Sequence, residues 1–372
     1  MIWSYLKTAG RTLWKHRGTT AINVLGLAVG LAVALLVLLF VRQQWRMDRF
    51  HTADDRIHRI TTLDRSGSGR YATAPTPLPT ALRESASGLT AVTPVERDGA
   101  TFAVHNETSL NIDAIHTDEA FWKVFNGFQF QAGTIEGALS RPHTAVVSPR
   151  TAQQLFGTAD PIGELFRHEG NTEYTVVGVL APPKGPSHVK ADVYLSTAGQ
   201  TPSTTDPDTW RSIYTKNTYV RLNENTTAAA LQTTARNLFE SHARPEVTAK
   251  LQLVVQSLED MRFSPTLRNE ISGLLIIAGW MYWLLGGLAL VALLAAGFNY
   301  VHLSVARSLR RAREVGVRKT MGAQRSQLVA QFLGEAVLTS VLASIGGVCL
   351  LSGIVPLFND LYLFDLLELP PL

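Results

Sequence analysis

The sequence predicts a membrane α-helical protein with three transmembrane helices and a large extracytoplasmic α+β domain. Three observations predict it. Residues 18–41 and 271–306 carry no charged side chain, and residues 326–359 carry only Glu335. A helix needs about 20 apolar residues to cross a hydrocarbon core, so each run can hold one span. Between the first and second runs, residues 42–270 mix short β-rich stretches with capped helices, an α+β pattern. The excess of basic charge is confined to two short segments flanking the spans. With 46% hydrophobic and 17% charged residues the chain is too polar to be membrane throughout, so its apolarity has to be concentrated in this way.

Residues 1–17 read as a cytoplasmic interfacial helix. Ile2, Leu6, Ala9 and Leu13 recur at helical spacing, Lys7, Arg11 and Lys15 form a second stripe, and Trp3 and Trp14 suit a membrane surface; a disordered basic tail is the alternative. Residues 18–41 form the first transmembrane helix. Its apolar run is too long for a cleaved signal peptide, and "FVRQQWRMDRF" has no small-residue cleavage site. Gly26 and Gly30 make a GxxxG pair that lets another helix pack closely.

Residues 42–270 are expected to be a core domain entered and left by helical stalks. Phe50, Ala53, Ile57 and Ile60 sit at helical spacing, which extends the first span outward. His51, Asp54, Asp55 and His58 would then share a helix face; a solvated, capped face is the reading, with a metal site as its rival. Further along, "SLNIDAIHT" reads as a strand and "TDEAFWKVF" as a helix capped by Thr117. "TAVVSPRTAQQLFG" reads as a strand followed by a helix with Ser148 as N-cap, Pro149 at its first position and Gly157 beyond its end. "EYTVVGVLA", "ADVYLS", "KNTYVRL" and "AKLQLVVQSL" read as strands, with a helix over 227–242. Residues 64–80, 181–188 and 196–210 read as loops or a subdomain boundary. The one cysteine, Cys349, falls in the third span, so a domain of this length has to rely on its own core.

The second transmembrane helix is placed at 271–303, a cytoplasmic loop at 304–327, the third transmembrane helix at 328–357 and an extracytoplasmic C-terminal segment at 358–372. Orientation follows from charge. The N-terminal tail is net +4, the 304–327 loop is net +6, and residues 42–270 hold 23 Lys+Arg against 25 Asp+Glu. The positive-inside rule puts both basic segments in the cytoplasm and residues 42–270 outside. The basic balance thus reports topology, and no nucleic-acid partner is expected. Within the spans, Asn299 and Glu335 are the intramembrane polar residues; helix contact is the first reading for both and a transported ion or proton the second.

No phosphate loop, dinucleotide fingerprint, zinc-protease helix, nucleophile elbow or cysteine pair occurs in the sequence. The expectation is a non-catalytic chain with no cofactor and no metal. Asn106 and Asn225 begin N-x-T sequons.

"ARSLRRAREVGVRKTMGAQRSQLVAQFLGEAVL" resembles the cytoplasmic loop and following span of the FtsX-like/MacB-like permease family of ABC transporters. "AINVLGLAVGLAVALLVLLFVRQQWRMDRFH" resembles that family's first span and stalk, while "LFGTADPIGELF", "YTVVGVL" and "GPSHVKADVYLS" resemble its periplasmic core domain. The likeness runs through residues 1–360. It implies an inner-membrane permease subunit that forms a homodimer or heterodimer with a related permease. A separate ABC ATPase subunit would dock on the 304–327 loop, with a periplasmic adaptor or outer-membrane channel as further partners. The coupling residues would be Arg310, Arg313, Glu314, Gly316, Arg318, Lys319, Gly322 and Arg325. Arg310, Glu314 and Arg318 alternate in sign at i, i+4, and Gly316 and Gly322 would let the segment turn across the bundle. The bland alternative is that these arginines fix topology and bind anionic membrane lipid. The expected function is mechanotransmission, in which ATP hydrolysis moves the periplasmic domain to export a substrate. A non-transporting regulator of an envelope enzyme such as a cell-wall hydrolase, or a membrane-anchored sensor, are the alternatives. The family ends with a fourth span, which "LFDLLELPPL" stops short of, so the likeness predicts a truncated or split member.

Overall fold

A computed structural model describes residues 10–362 except positions 12, 16, 68, 169–171, 201–203, 207, 264–266, 269, 271–278 and 321–323. The chain forms two compact units, one of Met1–Gln43 with Trp280–Leu372 and the other of Gln44–Gly279. Most of the helix expected over 1–17, all of residues 271–278, Gly322 and residues beyond 362 fall outside the described residues.

Among the described residues the elements run in chain order. They are α1 (Arg17–Arg46), β1 (Ile57–Asp64), β2 (Gly69–Tyr71), α2 (Leu78–Ser85), β3 (Leu89–His105), β4 (Thr108–Thr117), α3 (Phe121–Val124), β5 (Phe130–Gly133), β6 (Thr144–Val147), α4 (Pro149–Phe156), β7 (Leu165–His168), β8 (Thr172–Leu180), β9 (Val193–Ser196), β10 (Asn217–Leu222), α5 (Ala228–His242), α6 (Pro245–Thr248), β11 (Leu251–Ser257), α7 (Leu258–Phe263), α8 (Gly279–Thr320) and α9 (Arg325–Tyr362).

The α+β unit is built in two lobes that share one strand. In the first, β1–α2–β3 and β10–α5–β11 are two βαβ halves whose strands pair in the order β11, β1, β10, β3, each antiparallel to its neighbours. This is the split β-α-β arrangement of ferredoxin-like sheets. Ile60, Val92, Val220 and Leu253 face Leu78 and Leu82 of α2 and Leu231 and Leu238 of α5, and together they form one core. Ile57 and Tyr219 point to the opposite face, into a second core with Phe121 and Phe125.

The second lobe is inserted between β3 and β10. Residues 89–95 of β3 pair with β10, and from Glu96 onward the strand pairs with β4. Pairing then passes from β4 to β9, β6, β8 and β7 and returns to β3 through Val104 and Arg167. Six strands thus close a small barrel, filled by Ile112, Ala114, Phe166, Tyr174, Val176 and neighbours. Helix α4 lays Ala152 and Leu155 on that core. It starts as its sequence dictates: Ser148 Oγ accepts the Thr151 amide, Pro149 opens the helix, and Gly157 ends it at φ 70. Thr227 caps α5 in the same way through the Ala230 amide.

Three expectations are corrected. The first span does not continue as a helical stalk to Ile60. Helix α1 ends at Arg46, the chain turns through left-handed backbone at Asp48 (φ 58) and Ala53 (φ 56), and Ile57 opens a strand. The apolar spacing misleads because a strand covered on both faces buries Ile57 on one side and Ile60 on the other, and a three-residue step satisfies it as well as a helix. Thr117 caps no helix: it ends β4 and donates through Oγ1 to Pro94, while α3 starts at Phe121. The 64–80 stretch, expected as loop, contains β2 and the start of α2.

The other unit consists of α1, α8 and α9. All three are long and apolar enough to cross a membrane, over Arg17–Arg46, Gly279–Ala306 and Phe332–Leu357.

Candidate functional site

In the helical unit, α1 is contacted on two sides. A Cβ on Gly30 would stand 2.8 Å from the Ala296 Cβ and 3.3 Å from the Ala292 carbonyl oxygen, and one on Gly26 would stand 3.3 Å from Asn299 Nδ2. The backbones of α1 and α8 therefore approach closely along Gly26 and Gly30, and Asn299 meets α1 at that crossing. Gly346 and Gly347 of α9 meet Ala28 and Leu31 of α1, and Leu351 and Val355 pack with Leu35, Leu36, Leu39 and Phe40. Asn23, which sequence spacing did not single out, is 2% exposed on α1. Glu335 is half-buried on α9, and its carbonyl accepts the Thr339 hydroxyl at 2.8 Å.

Helix α8 does not stop with its apolar window at Ala306 but continues through the basic segment to Thr320. At 1.5 Å per residue this adds about 21 Å of helix. Arg310, Arg313, Glu314, Gly316, Arg318 and Lys319 all lie on it, with Arg310, Glu314 and Arg318 in i, i+4 register. Gly316 was expected to turn the chain and instead sits exposed inside the helix, where a Cβ would meet nothing within 4 Å. A glycine in an exposed helix interior costs only about 1 kcal/mol, which a helix of this length absorbs. Arg325 opens α9.

In the α+β unit, the residues directly after α1 are fastened by a buried polar network. Asp48 is 1% exposed. Its amide donates to the Pro186 carbonyl at 2.8 Å, and its carboxylate stands 2.6 Å from His188 Nδ1 and 3.7 Å from His51 Nε2. Burial would raise the Asp48 pKa, but His188 and His51 outweigh it and hold the carboxyl below the usual range. An ionised Asp48 accepts from His188 Nδ1, and His188 Nε2 stands 2.9 Å from the Tyr219 hydroxyl. Burial pushes the Tyr219 hydroxyl pKa up, so it stays protonated and able to donate. Arg59, a guanidinium only 1% exposed, is the cross-strand neighbour of Tyr219 in the β1–β10 pair. Arg59 then reaches Glu270 at 2.5 Å and Gln256 at 3.0 Å.

Two hydrogen bonds from Asp48 to Tyr219 through His188, the Tyr219–Arg59 cross-strand pair and the Arg59–Glu270 ion pair thus link the segment entering the α+β unit to the segment leaving it. The leaving segment is also pinned to β2, where the Arg268 amide donates to Arg70 and the Ala72 amide to Arg268. On the entering side His51 Nδ1 accepts the Gly127 amide at 3.0 Å, and Phe50 packs on Phe128. Gly127 has to be glycine, because a Cβ would lie 2.5 Å from the Phe50 ring and 2.7 Å from His51 Nδ1. His51 and His58 share no helix face with Asp54 and Asp55: His51 joins this network, and His58 lies in β1 with Nδ1 against the Arg56 carbonyl.

Residues 20–238 match the MacB-like periplasmic core domain, and residues 286–371 match the FtsX-like permease C-terminal region. The chain belongs to the MacB-like, FtsX-type permease family. Among its relatives, the pyoverdine export ATP-binding/permease protein PvdT of Pseudomonas syringae pv. tomato is 26% identical over 361 residues, covering 93% of this chain and 51% of that protein. The macrolide export ATP-binding/permease protein MacB of Marinobacter nauticus is 27% identical over 358 residues, covering 92% and 51%. The chain spans about half the length of the curated relatives it matches. Among solved structures, a permease-protein domain from Porphyromonas gingivalis aligns at TM-score 0.49 with 20% identity, covering 59% of this chain and 97% of that one. The periplasmic region of MacB from Actinobacillus actinomycetemcomitans aligns at 0.39 with 13% identity, covering 57% and 92%.

Proposed function

We propose that this chain is the membrane subunit of an ABC transporter that works by mechanotransmission in the inner membrane, with its α+β unit in the periplasm. An ABC ATPase on a partner chain docks on the arginine-rich end of α8 and the start of α9. Nucleotide binding there closes two permease copies, and the movement passes along α1 and α8 to the α+β unit, which drives a substrate outward. The observation that carries this reading is the buried network from Asp48 to Glu270. A domain moved through two connections has to be stiff between them, and here both are tied to the sheet, the entering one through Asp48, His188 and Tyr219 and the leaving one through Glu270 and Arg59, with Tyr219 and Arg59 paired across β10 and β1. The exposed apolar faces of the three helices, with Leu25, Val29, Trp283, Leu288 and Val341 among them, fit lipid and a second permease copy.

Affinity capture of the full chain from native membranes tests the docking. Recovery of an ATP-binding subunit is expected. Gly316→Pro, which removes a helical hydrogen bond at a cost of about 3 kcal/mol, should lose the subunit while Gly316→Ala keeps it. Capture of no ATP-binding subunit, or equal capture by both variants, overturns the docking site.

A further inference from the structure

The barrel lobe holds a second cluster, remote in sequence from the network above. Asp98, His116 and His168 come from three strands, and one ligand atom from each lies within 4.8 Å of the others. His116 Nε2 is 2.6 Å and His168 Nε2 2.9 Å from the same oxygen, Asp98 Oδ2. The fold aims them there. His116 lies on the face of β4 that carries the buried Ile112 and Ala114, and His168 lies two residues after the buried Phe166 on β7. Asp98 is the extra residue of a β-bulge, where the β3–β4 register shifts between Arg97 and Gly99. A bulge re-aims a side chain by bending the strand locally, and pairing with β4 resumes at Gly99. The cluster therefore sits on the barrel core, beside Tyr174, whose ring packs edge-on to His168 at 6.1 Å.

We propose that Asp98, His116 and His168 form a binding site for a divalent transition-metal ion, with Zn²⁺ as the ion its donor set fits. Two imidazole nitrogens and one carboxylate oxygen are borderline donors that suit zinc, whereas calcium and magnesium take oxygen shells. Zinc bonds of about 2.0–2.1 Å in tetrahedral geometry separate ligand atoms by about 3.3 Å, so the two His–Asp spacings of 2.6 and 2.9 Å need to open by under about 1 Å, while the two imidazole nitrogens already lie within 4.8 Å of each other. His168 is 4% exposed at its side chain, while His116 and Asp98 are each 20% exposed. Access is therefore from one side, which leaves a fourth position for water or for a ligand group from a bound partner. The strand framework holds all three ligands without using any residue of the Asp48–Glu270 network, so the site is independent of the proposed permease role.

The test uses the purified full chain in detergent, stripped with a chelator and titrated with Co²⁺. One equivalent per chain should give visible ligand-field bands, and Zn²⁺ should displace it. Asp98→Asn preserves the size of the side chain and its carbonyl acceptor, and His116→Gln alters a partly exposed ring; each should weaken binding by at least about 100-fold. Added Zn²⁺ should raise the melting temperature of the wild-type chain and leave that of either variant unmoved. A wild-type chain that binds neither ion, or binds with the affinity of Asp98→Asn, overturns the site. If His116→Gln fails to fold, the Asp98→Asn comparison decides alone.

Discussion

Asp48 concentrates several demands in one residue: a left-handed backbone, full burial and a negative charge. Asparagine tolerates the same backbone, so Asp48→Asn removes the charge without straining the turn at φ 58. A hydrogen bond to a charged group contributes about 1.5–3 kcal/mol, and the variant should lose that much stability at pH 7, read as a lower denaturation midpoint. The pH dependence follows from the direction of the shift. Asp48 is held below its unfolded pKa of about 3.9, so its contribution is present above that value and is lost as pH falls below it. Melting of the wild-type chain should therefore steepen its decline below about pH 4, and Asp48→Asn should lack that component. A variant with the wild-type acid profile would remove Asp48 from the network. None of this was visible from spacing. Asp48, Arg59, His188, Tyr219 and Glu270 come from five separate segments, and only the fold of β1 against β10 brings them together.

At the scale of elements, the approach of α1 to α8 makes a graded prediction. Gly30→Ala places a methyl group 2.8 Å from the Ala296 Cβ and close to the Ala292 carbonyl, and backbone on a neighbouring helix cannot step aside cheaply. Overpacking of this kind costs about 1–3 kcal/mol. Gly26→Ala meets only the Asn299 side-chain amide at 3.3 Å, which can rotate, so its cost should be smaller. Thermal melts of the two variants in detergent should rank Gly30→Ala below Gly26→Ala; the reverse order would mean that α8 does not pack there. This crossing was legible because a GxxxG pair in an uncharged helix is a local signal. The α4 helix was legible for the same reason, since Ser148, Pro149 and Gly157 each act within a few residues. Strand β3 was not. It serves two sheets in succession, its bulge falls at the handover, and barrel closure depends on a β3–β7 contact between residues 63 positions apart, Val104 and Arg167. Pairings of that kind leave no period in the sequence, and neither does the unbroken run of α8 through Gly316, where a glycine that reads as a break is overridden by helix on both sides.

For the whole molecule, the proposed mechanism stands on the direction in which charge is distributed. The 304–327 segment is net +6 and the N-terminal tail net +4, whereas residues 42–270 are nearly balanced. Moving arginines across a bilayer is costly, so the two basic segments should stay on the cytoplasmic side and the α+β unit should be translocated. Single-cysteine labelling decides this. In a Cys349→Ser background, Glu107→Cys places a thiol on the exposed turn between β3 and β4, and Gln324→Cys places one just ahead of α9. A membrane-impermeant maleimide added to intact spheroplasts should label Glu107→Cys fully. Gln324→Cys should react only after permeabilisation, because an ATP-driven partner can reach that position only from the cytosol. Labelling of Gln324→Cys from outside would place the basic end of α8 where no nucleotide is available and would remove the proposed docking of an ATPase. It would leave the Asp48–Glu270 network and the Asp98 cluster untouched, since both are properties of the α+β unit alone.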